Sequence, residues 1–237
     1  MKKNTGTLYL IPTPIGDQHE YDHIPFHLEL ISEIRLFFVE EVKTARRTLR
    51  KMGFTADFEE VTFHVINEHS KHFDFDSSLS PLLEGAHAGV LSEAGMPCIA
   101  DPGSKVVAAA HERLISVVPL TGPNAMILTL AASGLNGQLF QFNGYLPRER
   151  NERVKKLKQF ERMSAEYGSS QIFMDAPYRN QHVFNDARES LAAHTKLCIG
   201  CDVHSQNGYV LTKTIEEWRS LNWDFSKRNV VFIIGQS

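Results

Sequence analysis

Residues 90–103, VLSEAGMPCIADPG, set the reading of the whole chain. A buried-type apolar run ends at Ser92 and opens into Glu93-Ala94-Gly95-Met96-Pro97. It closes on Asp101-Pro102-Gly103, ahead of a segment whose apolar residues recur every three or four positions. The pattern predicts a strand, a loop and an amphipathic helix in succession. Glycine at 95 and 103 lets backbone approach a ligand closely, and an acid beside the strand end can accept ribose hydroxyls. Spacing alone also fits a plain strand-to-helix connection, so the loop gains weight only in company.

Two further loops supply that company. Residues 120–125, LTGPNA, again join a strand to a helix, and backbone amides at such a helix start suit a polar ligand group. Residues 11–17, IPTPIGD, end the first strand with two prolines and a glycine, which suits a rigid binding loop and equally a strand exit. No GxGxxG follows any predicted strand, which argues against a nicotinamide-type site. No GxSxG nucleophile motif occurs either.

Outward from these loops the chain alternates. Strands are predicted at 7–11, 36–39, 61–65, 89–92 and 116–119, with amphipathic helices at 24–34, 42–52, 79–84 and 105–113. A second cycle has strands at 139–143, 171–175, 197–201 and 230–234, and helices at 152–167 and 181–194. Between them lies PLTGP, 119–123, with the composition of a hinge. The expected organisation is therefore an N-terminal α/β domain, 1–119, and a C-terminal α/β domain, 120–237.

Of the 237 residues 42% are hydrophobic and 22% charged, a globular composition. The longest apolar runs fall far short of the ~20 residues a membrane-spanning helix requires. The early apolar run is broken at Pro12 with no small-residue cleavage site after it, so the expected location is the cytoplasm. Three cysteines suit free thiols in a reducing compartment. Residues 1–120 carry 11 Lys+Arg against 17 Asp+Glu, and the remainder 14 against 11, so the net charge of -3 is unevenly spread. This excludes a dedicated nucleic-acid-coating protein but leaves room for local basic surfaces.

Four segments, LYLIPTPIGD (8–17), VLSEAGMPCIADPG (90–103), VVPLTGPNAMILTLAASGL (117–135) and FNGYLP (142–147), together resemble the ribosomal RNA small-subunit methyltransferase I group of the tetrapyrrole-methylase superfamily. The resemblance implies two α/β domains, S-adenosylmethionine (SAM) in the cleft between them, and a homodimer. Carried over by motif, the cofactor contacts are Pro14, Glu93, Ala94, Gly95, Met96, Gly122, Asn124 and Ala125, with Met174, Cys201 and Asp202 from the second domain. The group usually has Asp where Glu93 stands. Its Glu-Asp-Thr-Arg run is Glu40, Glu41, Val42 and Lys43 here, which loses a hydroxyl and replaces a bidentate guanidinium with a point charge. Its Arg-Glu-Leu-Thr-Lys run is Cys201, Asp202, Val203, His204 and Ser205. Of a Glu-Ser-Thr-His-Arg run, Asp175 and Arg179 keep the acid and the arginine.

The implied activity is methyl transfer to RNA, at a ribose 2′-hydroxyl of ribosomal RNA. Alternatives are a methyltransferase acting on a small molecule such as a tetrapyrrole precursor or on a protein, and a catalytically degenerate SAM-binding protein. A hydroxyl acceptor must lose its proton, and the acids nearest the predicted cleft edges are Glu40, Asp101, Asp175 and Asp202. Cap or surface roles are the competing account for each. Lys43 and Arg179 are candidate phosphate holders. RNA contact is expected through Lys43, Arg46, Arg47, Arg50 and Lys51 on one helix, and through Arg148, Arg150, Arg153, Lys155, Lys156 and Lys158 after FNGYLP.

No metal is expected. Cys198 and Cys201, flanked by His194 and His204, project from opposite faces of a strand and do not converge on one ion. His19, His23 and His27, and His64, His69 and His72, lack a carboxylate at a recognised ligand offset and read as solvated imidazoles.

Overall fold

The computed structural model describes residues 5–16, 27–67 and 73–235. The chain divides into two compact units, and the second takes over at Ala125. The sequence reading of His19, His23, His69 and His72 falls outside the described residues, as does the start of the helix expected at 24–34.

The first unit is built on five strands, β1 (Thr7–Ile11), β2 (Leu36–Val39), β3 (Thr62–Val65), β4 (Ala88–Leu91) and β5 (Ser116–Pro119). All pair in parallel, in the order β3-β2-β4-β1-β5. Helices α1 (Leu28–Glu33), α2 (Val42–Lys51), α3 (Phe75–Leu83) and α4 (Ser104–Glu112) lie along the chain between them. Strands β2 and β4, LFFV and AGVL, are buried at every position, which is why they read as unbroken apolar runs.

Side-chain alternation then divides the core into two layers. Ile11, Phe37, Val39 and Leu91 pack with Ile31 of α1 and Ala45 and Leu49 of α2. Leu8, Leu36, Phe38, Ala88 and Val90 pack with Leu79 and Leu82 of α3 and Val106, Ala109 and Ala110 of α4. Pro119 is tolerated because β5 is an edge strand. Helix α3 starts earlier than expected because Asp74 accepts the Ser77 N–H at 3.1 Å as its N-cap.

The second unit opens with α5 (Ala125–Ser133) and carries a mixed sheet. Its strands are β6 (Phe140–Tyr145), β7 (Ser170–Met174), β8 (Lys196–Cys201), β9 (Tyr209–Thr214) and β10 (Val230–Gly235), in the order β6-β7-β10-β8-β9. Only β6 and β7 run parallel. On one face α6 (Arg150–Tyr167), α7 (Asn180–Ser190) and α8 (Ile215–Arg219) bury Phe160, Phe184 and Trp218 against Phe173, Ile199 and Phe232. On the other, Met126 and Leu130 of α5 pack on Ile172, Cys198 and Ile233. A Cβ on Gly200 would lie 2.2 Å from Thr129 Oγ1, so glycine is what allows α5 to approach β8.

Two elements of this unit were not expected from the sequence, β9 and α8. Strand β9 is half-buried at every position, so it lacks the in-out alternation that marks a strand. Helix α8 did carry a signal: Thr214 and Glu217 form a reciprocal capping box.

Candidate functional site

In a parallel sheet every strand ends at the same edge, so the three loops singled out in the sequence leave β1, β4 and β5 side by side. They meet at Gly95. Thr13 and Gly95 exchange backbone hydrogen bonds, Thr13 N donating to Gly95 O at 3.0 Å and Gly95 N to Thr13 O at 3.1 Å. Gly95 has φ +78°, and a Cβ there would lie 2.9 Å from Ile15 Cγ2 and 3.2 Å from the Pro123 carbonyl. All three loops therefore press on this one position, and only glycine fits it.

Two hydroxyls reinforce the junction. Ser92 Oγ donates to Gly95 O at 3.0 Å, and Thr13 Oγ1 donates to Ser92 O at 3.3 Å. Neither residue was singled out from the sequence. Their only signal was a hydroxyl within two residues of a strand end, which is too common to be selective.

Just before Gly95, Glu93 and Ala94 are exposed, and Met96 just after it is half-buried, as are Pro14, Gly122 and Asn124. Burial pushes the Glu93 carboxyl above its usual range, the charge of Glu41 adds to this, and Arg47 opposes it. Glu41 itself caps α2, accepting the N–H of Lys43 at 2.7 Å and of Thr44 at 2.5 Å. The Thr44 side chain, together with these two bonds, holds its carboxyl below the usual range. Glu40, one residue earlier, accepts the Glu93 N–H at 3.2 Å.

Glu40 and Asp101 line one small niche of about 10 Å³, with Phe38, Ile66, Val90 and Gly103 among its walls. Asp101 Oδ1 accepts the Gly103 N–H at 2.7 Å, while Oδ2 is buried without a hydrogen-bond partner. Burial raises the Asp101 carboxyl despite that N–H. The loop leading to it holds Cys98 and Ala100 at φ +68° and +61°, a conformation that costs a non-glycine residue about 1–3 kcal/mol. Cys98 is pushed up to about 12 by burial and by Asp101, so its thiol stays protonated.

In the second unit most candidate side chains are already committed. Met174 and Ala125 pack on one apolar cluster. Asp175 accepts the Ala176 N–H at 2.8 Å through Oδ1, and its Oδ2 lies 3.1 Å from Arg179 Nη2 without hydrogen-bond alignment. Burial raises its carboxyl, opposed by the Ala176 N–H and by the charges of Arg179 and Arg153. Arg179 donates to the carbonyls of Leu146 at 3.1 Å and Pro147 at 2.7 Å, so it ties the FNGYLP turn to the end of β7.

Cys201 turns its thiol into the core, while Cys198 faces the opposite layer. Asp202, at φ +43°, accepts with both oxygens, one from Arg228 Nε at 2.6 Å and one from Asn229 N at 2.9 Å.

The two basic clusters part company here. Arg153 is buried and donates to Asp186 at 2.7 Å, and Arg150 reaches the other oxygen of Asp186 at 2.8 Å and Glu189 at 2.6 Å. These two arginines bind α6 to α7. Lys156 lies 5.4 Å from the centre of the Phe160 ring. The α2 cluster is exposed throughout: Lys43, Arg46, Arg47, Arg50 and Lys51 all reach solvent.

No protein-family profile matches the chain. Among solved structures it superposes on the methyltransferase CobJ with TM-score 0.58 and 17% identity, covering 99% of this chain and 95% of that one. It thus shares the two-sheet α/β fold of that methyltransferase. Ribosomal RNA small subunit methyltransferase I of Halalkalibacterium halodurans is 31% identical over 219 residues, 92% of this chain and 68% of the relative. The protein of the same name from Streptococcus pyogenes is 34% identical over 178 residues, 75% of this chain and 58% of the relative. The chain belongs to the ribosomal RNA small subunit methyltransferase I family.

Proposed function

We propose that the protein transfers a methyl group from SAM to ribosomal RNA, at a ribose 2′-hydroxyl. The observation that carries this reading is 31% identity, across 92% of the chain, to a relative named for methylating small-subunit ribosomal RNA. The junction at Gly95 supports it. There the exposed residues Glu93 and Ala94 stand at the end of β4, where the Glu93 carboxylate fits a ligand with ribose hydroxyls and a cationic centre.

In this reading Pro14, Glu93, Ala94, Gly95, Met96, Gly122 and Asn124 of the first unit hold the cofactor. Of the second-unit candidates, Cys201 and Asp202 have their side chains engaged within that unit. SAM supplies, when bound, a methyl group already activated on a sulfonium.

The protein's share is positioning and proton handling. Of the four acids, we assign that role to Glu40 and Asp101. They line one niche beside the β4 loop, whereas Asp202 is saturated and Asp175 holds Arg179. Glu40 orients the loop through the Glu93 N–H, and the unpartnered oxygen of Asp101 is available to a proton.

RNA contact falls to Lys43, Arg46, Arg47, Arg50 and Lys51, and in the second cluster to the exposed Arg148, Lys155 and Lys158, since Arg150 and Arg153 bind Asp186. Among the described residues no helix is long and apolar enough to cross a membrane. A cytoplasmic homodimer completes the proposal.

The deciding experiment supplies labelled SAM and small ribosomal subunits from cells lacking the protein. Label in the RNA, removed by ribonuclease, is the expected result. Label in a small molecule or in protein would replace the acceptor, and SAM binding without transfer to any cell fraction would identify a degenerate member.

A further inference from the structure

We propose that the outer face of α2 is a stacking platform for unpaired RNA bases, an inference that rests on the RNA reading above and specifies how the RNA is held. Beneath that face lies a group of three aromatic rings. Phe54 and Phe58 are stacked, centroids 5.8 Å apart at 14°, and Phe58 meets Phe63 edge-on at 5.8 Å.

Two arginines one turn apart roof these rings. Arg50 Cζ sits 4.0 Å from the Phe58 centroid, and Arg46 Cζ sits 5.3 Å from both Phe58 and Phe63. Arg50 is pinned as well by its bond to the Phe54 carbonyl at 2.6 Å. Both residues are exposed. A guanidinium held over a ring on one side presents its other side as a planar cation, the shape that stacks on a nucleobase.

The surroundings favour a nucleic acid over other planar ligands. Lys43, Arg47 and Lys51 recur at intervals of four on the same helix and supply charge for successive phosphates. Three exposed acids flank Phe58: Glu60 faces Arg35 at 4.0 Å, Asp57 caps its own turn by accepting the Glu59 N–H at 3.0 Å, and Glu59 follows Phe58 directly. The helix also begins at the candidate site, because its cap Glu41 and its Arg47 both act electrostatically on Glu93. A strand lying along α2 therefore leads to the β4 loop. Duplex bases have both faces occupied by their neighbours, so the platform selects unpaired nucleotides.

The competing account is that Arg46 and Arg50 merely shield Phe58 and Phe63 from water. The two accounts separate on substitution by lysine, which keeps charge and aliphatic cover but loses the plane. Anisotropy of an end-labelled, unstructured RNA oligonucleotide and of a blunt RNA duplex is measured on the intact chain and on the Arg46→Lys/Arg50→Lys double variant. The double variant is expected to bind the unstructured RNA about tenfold more weakly, with duplex binding unchanged and the same slope of affinity against salt. Unchanged affinity for the unstructured RNA, or equal loss on both RNAs, overturns the proposal; so does failure of the intact chain to bind unstructured RNA. A thermal melt checks the fold, and the single Arg46→Lys variant stands in if the double one does not fold. Because the readout is binding, absence of methyl transfer to ribosomal RNA would reject the functional reading without deciding this test.

Discussion

Glu40 Oε1 accepts the backbone N–H of Glu93 at 3.2 Å, joining the ends of the adjacent strands β2 and β4 across 53 residues of sequence. The contact gives Glu40 a role in holding the loop, separable from the proton handling proposed for it. Glu40→Gln keeps an acceptor for that N–H. It should bind SAM as the parent does while methyl transfer falls about 10²-fold or more. Glu40→Ala should weaken SAM binding too, and calorimetry beside single-turnover kinetics separates the two. Equal activity of Glu40→Gln and parent would remove Glu40 from proton transfer.

Gly95→Ala places a methyl 2.9 Å from Ile15 Cγ2 on a backbone at φ +78°. Strain and overpacking together should lower stability by about 2–4 kcal/mol, read from urea denaturation. SAM affinity should fall as well, because the three loops would be forced apart. A variant as stable as the parent would mean that the junction yields easily.

Asp101 carries a carboxyl raised by burial. A native state with a raised carboxyl binds its proton more tightly than the unfolded chain, so it gains stability as pH falls through the native value toward the ordinary one. Asp101→Asn retains the acceptor for Gly103 and has no charge to bury. It should therefore be more stable than the parent near neutral pH, and the gap should close by roughly pH 4, the ordinary carboxylate range. Denaturant midpoints across that window test this, and a gap independent of pH would show that Asp101 is not raised.

Asp186 joins α6 to α7 through Arg153, and both side chains are buried, at 6% and 8% exposure. Asp186→Ala should destabilise the fold by about 3–5 kcal/mol, because the guanidinium of Arg153 is left buried and unpaired. Arg150→Ala removes an exposed partner of the same acid and should change stability little. If Arg150→Ala instead weakens RNA binding while stability holds, the second basic cluster regains its place at the RNA surface.

Much of the fold was legible because its signals are local. Strands β1, β2 and β5 begin and end where their apolar runs do. Helix α2 follows from three- and four-residue spacing and an acidic cap. Strand β9 was not legible, since a strand half-buried along its length shows no period of two, and α8 was overlooked despite the capping box at Thr214. The loop at 90–103 read as a ligand loop only in company with the other segments, and the reason Gly95 must be glycine lies in Ile15 and Pro123, which are distant in sequence.

The amino-acid sequence by itself determined the α/β alternation, the three loops at strand ends and the family. Those rest on periodicities of two and 3.6 residues and on short ordered motifs, each contained within one segment. Only the tertiary structure decided which polar side chains remain available. Arg153 finds Asp186 33 residues away and Asp202 finds Arg228 26 residues away, while Glu40 and Asp101 come to share one niche. Ion pairing and burial depend on which strand ends become neighbours, and parallel pairing across a sheet is a property of the whole unit that no local spacing encodes.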